Sequence, residues 1–529
     1  MSLLKIVNGK NPRQIGARVL QQWRAEDGFI EDLLETALAG TRLSPADRAL
    51  CQEIAYGAVR WQATLDWLVA RKTRGRPQKP ALQNLLRLGL YQIFWLDRIP
   101  GYAAVNETVE LAKQNGFGAQ AGFVNAVLRG YLREMAATRK LLAGLKISQP
   151  ALGWSHPEWL VARWQKRWGG RADLPVGQDA QQRVPTDAVE RLLEWNNTPP
   201  KTFARVNTLK LSEAESARRA DRTPGPGVPT LLEKWREENV EYDFVRSGGR
   251  QTAAVLAEIG SSGFLPKAAT LENLVFELKS HPPLASLESF RQGWFYIQDP
   301  STLLAPCKLE PQPGETILDL CAAPGGKTTF IAQLMNNQGR IVAMDNSAER
   351  LKLVEENCAR LGVTCVELAT SDLLRPHPAS LPQEREQQRA AHEISNQVRS
   401  ANRPTAIHPL PTGEGRGEGK LFDRILVDAP CSNTGVMRRR VDLRWRIQPK
   451  EIGRLCKVQR DLLRQAALQL KSGGVLVYST CSLEPEENSE VVKQFLAEHG
   501  DFELELEQEL LPFVDNVDGA YVARLKRLT

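Results

Sequence analysis

The chain has 529 residues, of which 42% are hydrophobic and 25% are charged, and its formal net charge is +7. This ordinary composition excludes a wholly disordered, collagen-like or coiled-coil chain, and the length predicts more than one domain. The most apolar stretch, residues 85–96, is shorter than the roughly 18 residues that cross a bilayer, and no export signal opens the chain, so we expect a cytoplasmic protein.

Residues 1–145 are predicted to form an all-helical domain. Residues 44–47 (Ser-Pro-Ala-Asp) combine an N-cap, a proline at the first helical position and an acid at the third, which is a strong helix start. Apolar side chains then recur every three or four residues from Leu50 to Leu68. That spacing predicts one buried stripe of a helical bundle.

Residues 146–290 have a weaker pattern. We predict a linker and a small α/β subdomain with insertions. The supporting patterns are helical spacing at 154–168, a possible strand at 201–212 and a proline-glycine loop at 222–229.

Residues 291–529 alternate short apolar strands with helices, which predicts a parallel sheet covered on both faces. The strands are predicted at 316–320, 340–344, 422–427 and 474–478, and helices at 327–335, 348–361 and 451–470. A polar segment at 375–420 lacks any periodicity and is predicted to be a disordered insertion.

Polar groups follow the strands of this predicted sheet. The first strand runs into a glycine-rich turn from Cys321 to Lys327, where backbone can approach a ligand closely. A phosphate-binding P-loop would need glycine at position 321, so ATP is the weaker alternative. Asp345 and Asp428 end the strands predicted at 340–344 and 422–427, and a further strand between them is expected to end near Asp372. A carboxylate at such a tip is placed to bind ribose hydroxyls, and together the tips predict a ligand pocket.

Two cysteines, Cys431 and Cys481, follow the predicted strands at 422–427 and 474–478. The eight cysteines of the chain are too sparse for a disulfide scaffold and contain no C-x-x-C pair, so we expect no metal site. A single cysteine is ordinarily a small buried apolar residue, but two at neighbouring strand tips indicate chemistry. The thiolate is the nucleophilic form, and nearby cations such as Lys327 favour it.

The positive charge is concentrated in residues 433–460, where nine lysines and arginines face two acids, nine minus two giving +7. Such a block is either a solvated helix face or a surface for RNA phosphates, and we predict that it binds RNA.

Three motifs resemble the S-adenosylmethionine-dependent RNA cytosine-5 methyltransferases. They are Cys-Ala-Ala-Pro-Gly-Gly-Lys-Thr at 321–328, Asp-Ala-Pro-Cys-Ser-x-Thr-Gly at 428–435 and Thr-Cys-Ser at 480–482. The NusB-type domain of the bacterial 16S ribosomal RNA member is resembled by residues 47–51, 105–109 and 123–129. Other parts of the same member are resembled by residues 155–160, 298–301 and 518–525.

The resemblance implies a Rossmann-like methyltransferase sheet behind a helical NusB-like domain. It implies that S-adenosylmethionine is held by a set of turn and strand-tip residues, namely Cys321, Ala322, Ala323, Pro324, Gly325, Gly326, Lys327, Asp345, Asp372 and Asp428. It also implies that Cys481 attacks the base, that Cys431 assists product release and that Asp428 borders cofactor and base. We predict that Asp428, if protonated or bridged, is catalytic as well, through a hydrogen bond to N3 of the cytosine that stabilises the charge developing during the attack.

The implied partner is 16S ribosomal RNA, free rather than in the assembled ribosome, and we expect a monomer with no membrane association. A non-catalytic RNA-binding assembly factor is the alternative, and it would tolerate loss of Cys481. Two residues depart from the family pattern: Asn433 replaces a usually smaller residue and Val441 replaces proline. We expect neither to touch the core motifs.

Overall fold

The structure is a computed structural model, and it describes residues 11–25, 28–169, 185–210, 228–244, 274–370, 408–409 and 422–529. The N-terminal helices are Pro12–Ala25, Ile30–Leu38, Pro45–Arg60, Gln62–Thr73, Pro80–Trp95, Gly101–Gln114, Ala121–Arg133, Met135–Ser148, Pro150–Gly153, Glu158–Trp168 and Ala188–Asn197. The predicted helical character of the N-terminal part is therefore confirmed. Within the described ranges, no helix is both long and apolar enough to cross a membrane.

Local sequence explains how this bundle is built. The Ser44 hydroxyl accepts a hydrogen bond from the backbone N–H of Asp47 at 3.1 Å, so the predicted N-cap is confirmed. Ile54 and Leu65, from the predicted stripe, are fully buried in the helical core. The stripe is divided between two helices, because the chain turns at Trp61.

A four-stranded antiparallel sheet follows. Its strands are β1 (Thr202–Val206), β2 (Glu241–Phe244), β3 (Val275–Ser280) and β4 (Phe295–Ile297), in the order β2-β3-β1-β4. Helices Val228–Glu237 and Glu288–Arg291 accompany them. β1 is shorter than the predicted strand at 201–212, and the predicted domain boundaries near residues 145 and 290 stay predictions.

The second sheet has eight strands in the order β11-β12-β10-β9-β5-β6-β7-β8. They are β5 (Thr316–Leu320), β6 (Arg340–Asp345), β7 (Val366–Thr370), β8 (His408–Pro409), β9 (Phe422–Asp428), β10 (Leu470–Thr480), β11 (Phe502–Leu510) and β12 (Ala520–Arg527). Strands β5 to β10 pair in parallel and β12 pairs antiparallel with both of its neighbours. Apart from β8, the predicted insertion at 375–420 lies outside the described residues.

Helices cover both faces of this sheet. They are Leu304–Leu309, Gly326–Leu334, Ala348–Leu361, Leu443–Arg446, Pro449–Gln469, Ser489–Glu498 and Pro512–Asp515. Successive strand residues point to opposite faces, so Ile317 and Ile341 belong to one apolar cluster while Leu318 and Val342 belong to the other. Apolar side chains thus fill both faces, and the carboxyl ends of the parallel strands remain the place for a ligand.

The segment after β9 joins the helical part to the sheet. Asp442 Oδ2 accepts hydrogen bonds from Trp23 Nε1 at 3.1 Å and from the backbone N–H of Ile30 at 3.0 Å. Arg444 is fully buried and donates to Asn197 Oδ1 at 2.8 Å and to the carbonyl of Asn196 at 2.8 Å. The N-terminal helices therefore pack directly against the domain that contains the eight-stranded sheet.

Arg438 and Arg439 form a buried ion-pair network. Arg438 Nε lies 2.5 Å from Asp518 Oδ1, and Arg439 Nη2 lies 2.6 Å from Asp299 Oδ2. The Arg438 guanidinium also stacks on the Trp195 ring, 3.8 Å from its centroid. Arg438 is 1% exposed.

The prediction that residues 433–460 bind RNA phosphates is therefore wrong for Arg438 and Arg444, which are buried. Charge in a sequence does not reveal exposure, and these side chains are used for internal contacts. Lys450 and Lys457 of the same segment are exposed.

Candidate active site

The turn after β5 brings backbone close to its neighbours. Cys321 and Gly325 have φ angles of 61° and 98°. A Cβ at Gly325 would lie 3.2 Å from Val354 Cα, and one at Gly326 would lie 3.1 Å from Tyr296 Cε1. Glycine is therefore required by the conformation at 325 and favoured by the space at 326. The helix that follows begins at Gly326.

Asp345 ends the adjacent strand, β6, and is 1% exposed. Its carboxylate accepts backbone hydrogen bonds from Ala323 and Ser347, both at 3.2 Å, and Arg350 Nη1 lies 3.4 Å from Oδ1. Burial raises the pKa of Asp345, and the charge of Arg350 opposes that shift. The turn after β5 and this carboxylate thus form one unit at the sheet edge.

Lys327 and Asp428 form an ion pair between the glycine-rich turn and the end of β9. Lys327 Nζ lies 2.6 Å from Asp428 Oδ2, and the Ser479 hydroxyl donates to Asp428 Oδ1 at 2.9 Å. Burial by itself lowers the pKa of Lys327, but the charge and hydrogen bond of Asp428 outweigh it, so the net shift is upward. Lys327 is therefore a fixed cation at this edge.

The two predicted cysteines lie side by side. Their Sγ atoms are 3.2 Å apart, and both are free thiols. The Cys481 thiol donates a hydrogen bond to Asn433 Oδ1 at 2.8 Å. Since that bond uses the one proton of Cys481, the Cys431 thiol is the donor between the two sulfurs. The hydrogen bond with Cys481, together with burial, raises the pKa of Cys431 well above its ordinary value.

Asn433 was expected not to touch the core motifs, and that expectation is wrong. Its Nδ2 donates to the backbone carbonyl of Cys431 at 2.9 Å, which leaves Oδ1 to face Cys481. Asn433 has a left-handed φ of 57°, a conformation that asparagine tolerates better than most residues. The signal in the sequence was the unusual residue itself, two positions after Cys431.

These groups line one cavity of about 570 Å³. Of the predicted site residues, those that line it are Cys321, Ala323, Pro324, Lys327, Asp345, Asp428, Cys431 and Cys481. Ala322, Gly325 and Gly326 shape the turn without lining the cavity, and Asp372 lies outside the described residues. Phe29, Glu31 and Asp32 of the helical part also line the cavity. Sequence reasoning missed them, because no motif marks them.

The cavity suits a nucleoside cofactor. Small-molecule sites commonly enclose about 300 to 1,000 Å³ with a few polar groups that fix orientation. Here a close backbone turn that needs glycine adjoins a carboxylate at the neighbouring strand tip, the arrangement that binds ribose hydroxyls in open α/β sheets. The residues present therefore fit the predicted S-adenosylmethionine.

Comparisons with known proteins agree with this geometry. The family model described as 16S rRNA methyltransferase RsmB/F matches residues 306–385 and 382–526, and the NusB family model matches residues 10–133. A probable ribosomal RNA small subunit methyltransferase B from Synechocystis sp. is 32% identical, with 97% of this chain and 99% of the relative covered. The Bacillus subtilis protein of the same description is 31% identical, with 97% and 98% covered.

Among solved structures, the crystal structure of PH0851 aligns with a TM-score of 0.63 at 21% identity, covering 98% of this chain and 99% of the other, so the fold is shared. The family match confirms the predicted cofactor and enzyme class: the chain is an S-adenosylmethionine-dependent ribosomal RNA methyltransferase. Taken together, the matches over both parts and nearly the whole length place the chain in the 16S rRNA methyltransferase RsmB/F family, with a NusB family domain at its N-terminal end.

Proposed function

We propose that this chain methylates carbon 5 of a cytosine in 16S ribosomal RNA through a covalent bond between Cys481 and the base. The observation that carries the proposal is the pair of thiols, 3.2 Å apart, in the same cavity as Asp345 and the Lys327–Asp428 pair. One sulfur can bond to the base while the other stays within reach of the same ring.

The turn from Cys321 to Lys327 and the Asp345 carboxylate would hold the cofactor. Asp345 would accept hydrogen bonds from the ribose hydroxyls, and the turn backbone would border the methionine portion. Bound S-adenosylmethionine supplies the methyl group on a sulfonium centre. Asp372, expected at the next strand tip, would face the adenine.

Cys481 would solve the central chemical difficulty, which is that carbon 5 of cytosine is a poor nucleophile. The thiolate adds to carbon 6, and the electron pair of the 5,6 double bond makes carbon 5 enamine-like and able to accept the methyl group. Negative charge developing toward N3 needs a donor, and the Lys327 ammonium beside Asp428 provides one in this cavity. Asp428 would border both cofactor and base.

Cys431 would complete the reaction as the base. After methylation, its thiolate takes the proton from carbon 5. The electrons of that C–H bond reform the 5,6 double bond, and the bond between carbon 6 and sulfur breaks to return Cys481 as a thiolate. The pKa of Cys431 is raised chiefly by its hydrogen bond with Cys481. In the adduct the sulfur of Cys481 is a thioether that cannot ionise, so the repulsion between two thiolates, which also raises the pKa of Cys431, is absent when Cys431 must act.

The target cytosine has to leave its stack to reach these sulfurs. A base inside a helix is inaccessible, so the substrate is a loop nucleotide or one extruded at a cost of a few kcal/mol. We propose that the enzyme acts as a monomer on free 16S ribosomal RNA rather than on the assembled ribosome.

The test is to incubate the protein with unmodified 16S ribosomal RNA and S-adenosylmethionine, then run denaturing electrophoresis. We expect Cys431→Ala to accumulate a protein–RNA adduct that survives denaturation and Cys481→Ala to form none. Nucleoside analysis of the wild-type product should find 5-methylcytidine. The reverse pattern of adducts would exchange the two roles. Undiminished methylation by Cys481→Ala would refute the covalent route, and absence of any methylation would favour the non-catalytic assembly factor.

A further inference from the structure

Glu487 lies behind the two cysteine-bearing loops, at the end of the short helix Pro485–Glu487. Its Oε1 accepts hydrogen bonds from the backbone N–H of Ser432 at 2.9 Å and from Gln459 Nε2 at 3.2 Å. Its Oε2 accepts from the hydroxyls of Ser432 and Ser482, the latter at 2.5 Å. Ser432 directly follows Cys431 and Ser482 directly follows Cys481, so one carboxylate binds both loops.

The direction of these hydrogen bonds is fixed by chemistry. An ionised carboxylate only accepts, so both serine hydroxyls must donate to Glu487. The Ser482 oxygen in turn accepts from the backbone N–H of Glu484 at 3.0 Å. Gln459 Nε2 also lies 2.9 Å from the carbonyl of Pro430, the residue before Cys431. The loop of Cys431 is thus held on both sides of the cysteine.

Glu487 itself is kept in place by its surroundings. It is fully buried, and its backbone carbonyl accepts a hydrogen bond from the Tyr478 hydroxyl at 2.6 Å. The next residue, Asn488, donates from Nδ2 to the carbonyl of Ser482 at 2.9 Å and accepts from the Thr480 hydroxyl at 2.6 Å. Glu487 does not line the cavity, and its hydrogen bonds reach the two cysteine loops through Ser432 and Ser482. Its charge also contributes to the raised pKa of Cys431.

We propose that Glu487 is a positioning residue that sets the separation of the Cys431 and Cys481 thiols. The proposal rests on the function proposed above, in which both sulfurs must act on one base. A reacting group displaced by about 1 Å can lose on the order of a hundredfold in rate, so a link that fixes two sulfurs at 3.2 Å has a direct kinetic consequence.

The decisive substitution is Glu487→Gln, which keeps size and removes the charge. If its Nε2 takes the place of Oε1, it faces the N–H of Ser432; if it takes the place of Oε2, both serine hydroxyls must turn round. We expect kcat to fall at least about tenfold while KM for S-adenosylmethionine stays within about threefold, because the cofactor residues are untouched.

A second measurement follows the two thiols directly. Removing the charge of Glu487 would by itself lower the pKa of Cys431 and speed thiol oxidation, so slower disulfide formation reports a wider separation of the sulfurs. Diamide, an azo compound, takes two electrons and two protons from a close pair of thiols and leaves a disulfide, and mass spectrometry of the peptide linking 431 to 481 gives the rate. We expect Glu487→Gln to slow this closure at least about tenfold. The matched control is Glu490→Gln, an exposed acid three residues on, with both rates unchanged.

If Glu487→Gln does not fold, Ser432→Ala and Ser482→Ala test the same hydrogen bonds from the other side. Each should slow disulfide formation between Cys431 and Cys481 severalfold. Closure at the wild-type rate in these variants, or a fall in kcat accompanied by unchanged closure, would overturn the positioning role. The closure assay uses neither RNA nor methyl donor. A wild-type protein that does not methylate would therefore defeat the proposed function, while the closure rates would still decide the role of Glu487.

Discussion

Arg438 offers a sharp test of how the basic segment is used. Replacing it with methionine keeps a long side chain but removes the charge that pairs with Asp518 at 2.5 Å and Asp299 at 3.5 Å. Both carboxylates are buried, and Arg439 would be the partner left to them. Two buried carboxylates would then share the single cation Arg439, so one buried negative charge is left without compensation, which costs about 3 to 5 kcal/mol. Stacking on Trp195 is lost as well.

The assay is urea unfolding of Arg438→Met and the wild-type protein, followed by circular dichroism, with RNA affinity measured over a range of salt concentrations. We expect the unfolding free energy to fall by about 3 to 5 kcal/mol, and the salt dependence of RNA binding by the folded fraction to be unchanged.

Lys457→Met is the matched control, since Lys457 is exposed on the same segment. Its stability should change by less than about 0.5 kcal/mol. The reasoning is refuted if Arg438→Met unfolds at the wild-type urea concentration and lowers the salt slope by about one, the signature of a lost phosphate contact.

Three further predictions concern the cavity and the sheet. Asp345→Ala should weaken S-adenosylmethionine binding about 10- to 100-fold in calorimetry, because hydrogen bonds to a charged group contribute about 1.5 to 3 kcal/mol; unchanged affinity contradicts the ribose assignment. Asn433→Ala removes the acceptor of the Cys481 thiol proton, so iodoacetamide should alkylate that thiol severalfold faster, and equal or slower alkylation contradicts the contact. Burial raises the pKa of Asp319 to about 7, so its contribution to stability is present below about pH 4 and lost as pH rises through 7. Asp319→Asn should flatten the fall in urea midpoint between about pH 4 and 7, and parallel curves for the two proteins would contradict this.

The sequence predicts the strand tips well because local rules determine them. The turn at Cys321, the acid at Asp345 and the two cysteines each follow a short apolar run, and parallel strands bring their carboxyl ends to one edge. Neither Asn433 nor Glu487 could be assigned this way. Their roles depend on which residues meet after folding, and Glu487 contacts Ser432, which is 55 positions away.

The basic segment at 433–460 shows how the same dependence on distant residues leads to a wrong prediction. A run of arginines is equally compatible with phosphate binding and with internal ion pairs. The partners that decide between them, Asp299 and Asp518, lie 139 and 80 positions from Arg438. Spacing along the chain carries no information about such pairs.

The packing of the N-terminal helices has a consequence for synthesis. Their apolar core includes Met437, Val441 and Phe513, which leave the ribosome long after the helices themselves. Until those residues are synthesised, the nascent helical bundle exposes apolar surface to solvent. Chaperones recognise such surface, and it favours aggregation. The NusB-like part expressed alone should therefore aggregate. Co-expression with the remainder of the chain as a separate polypeptide should restore its solubility.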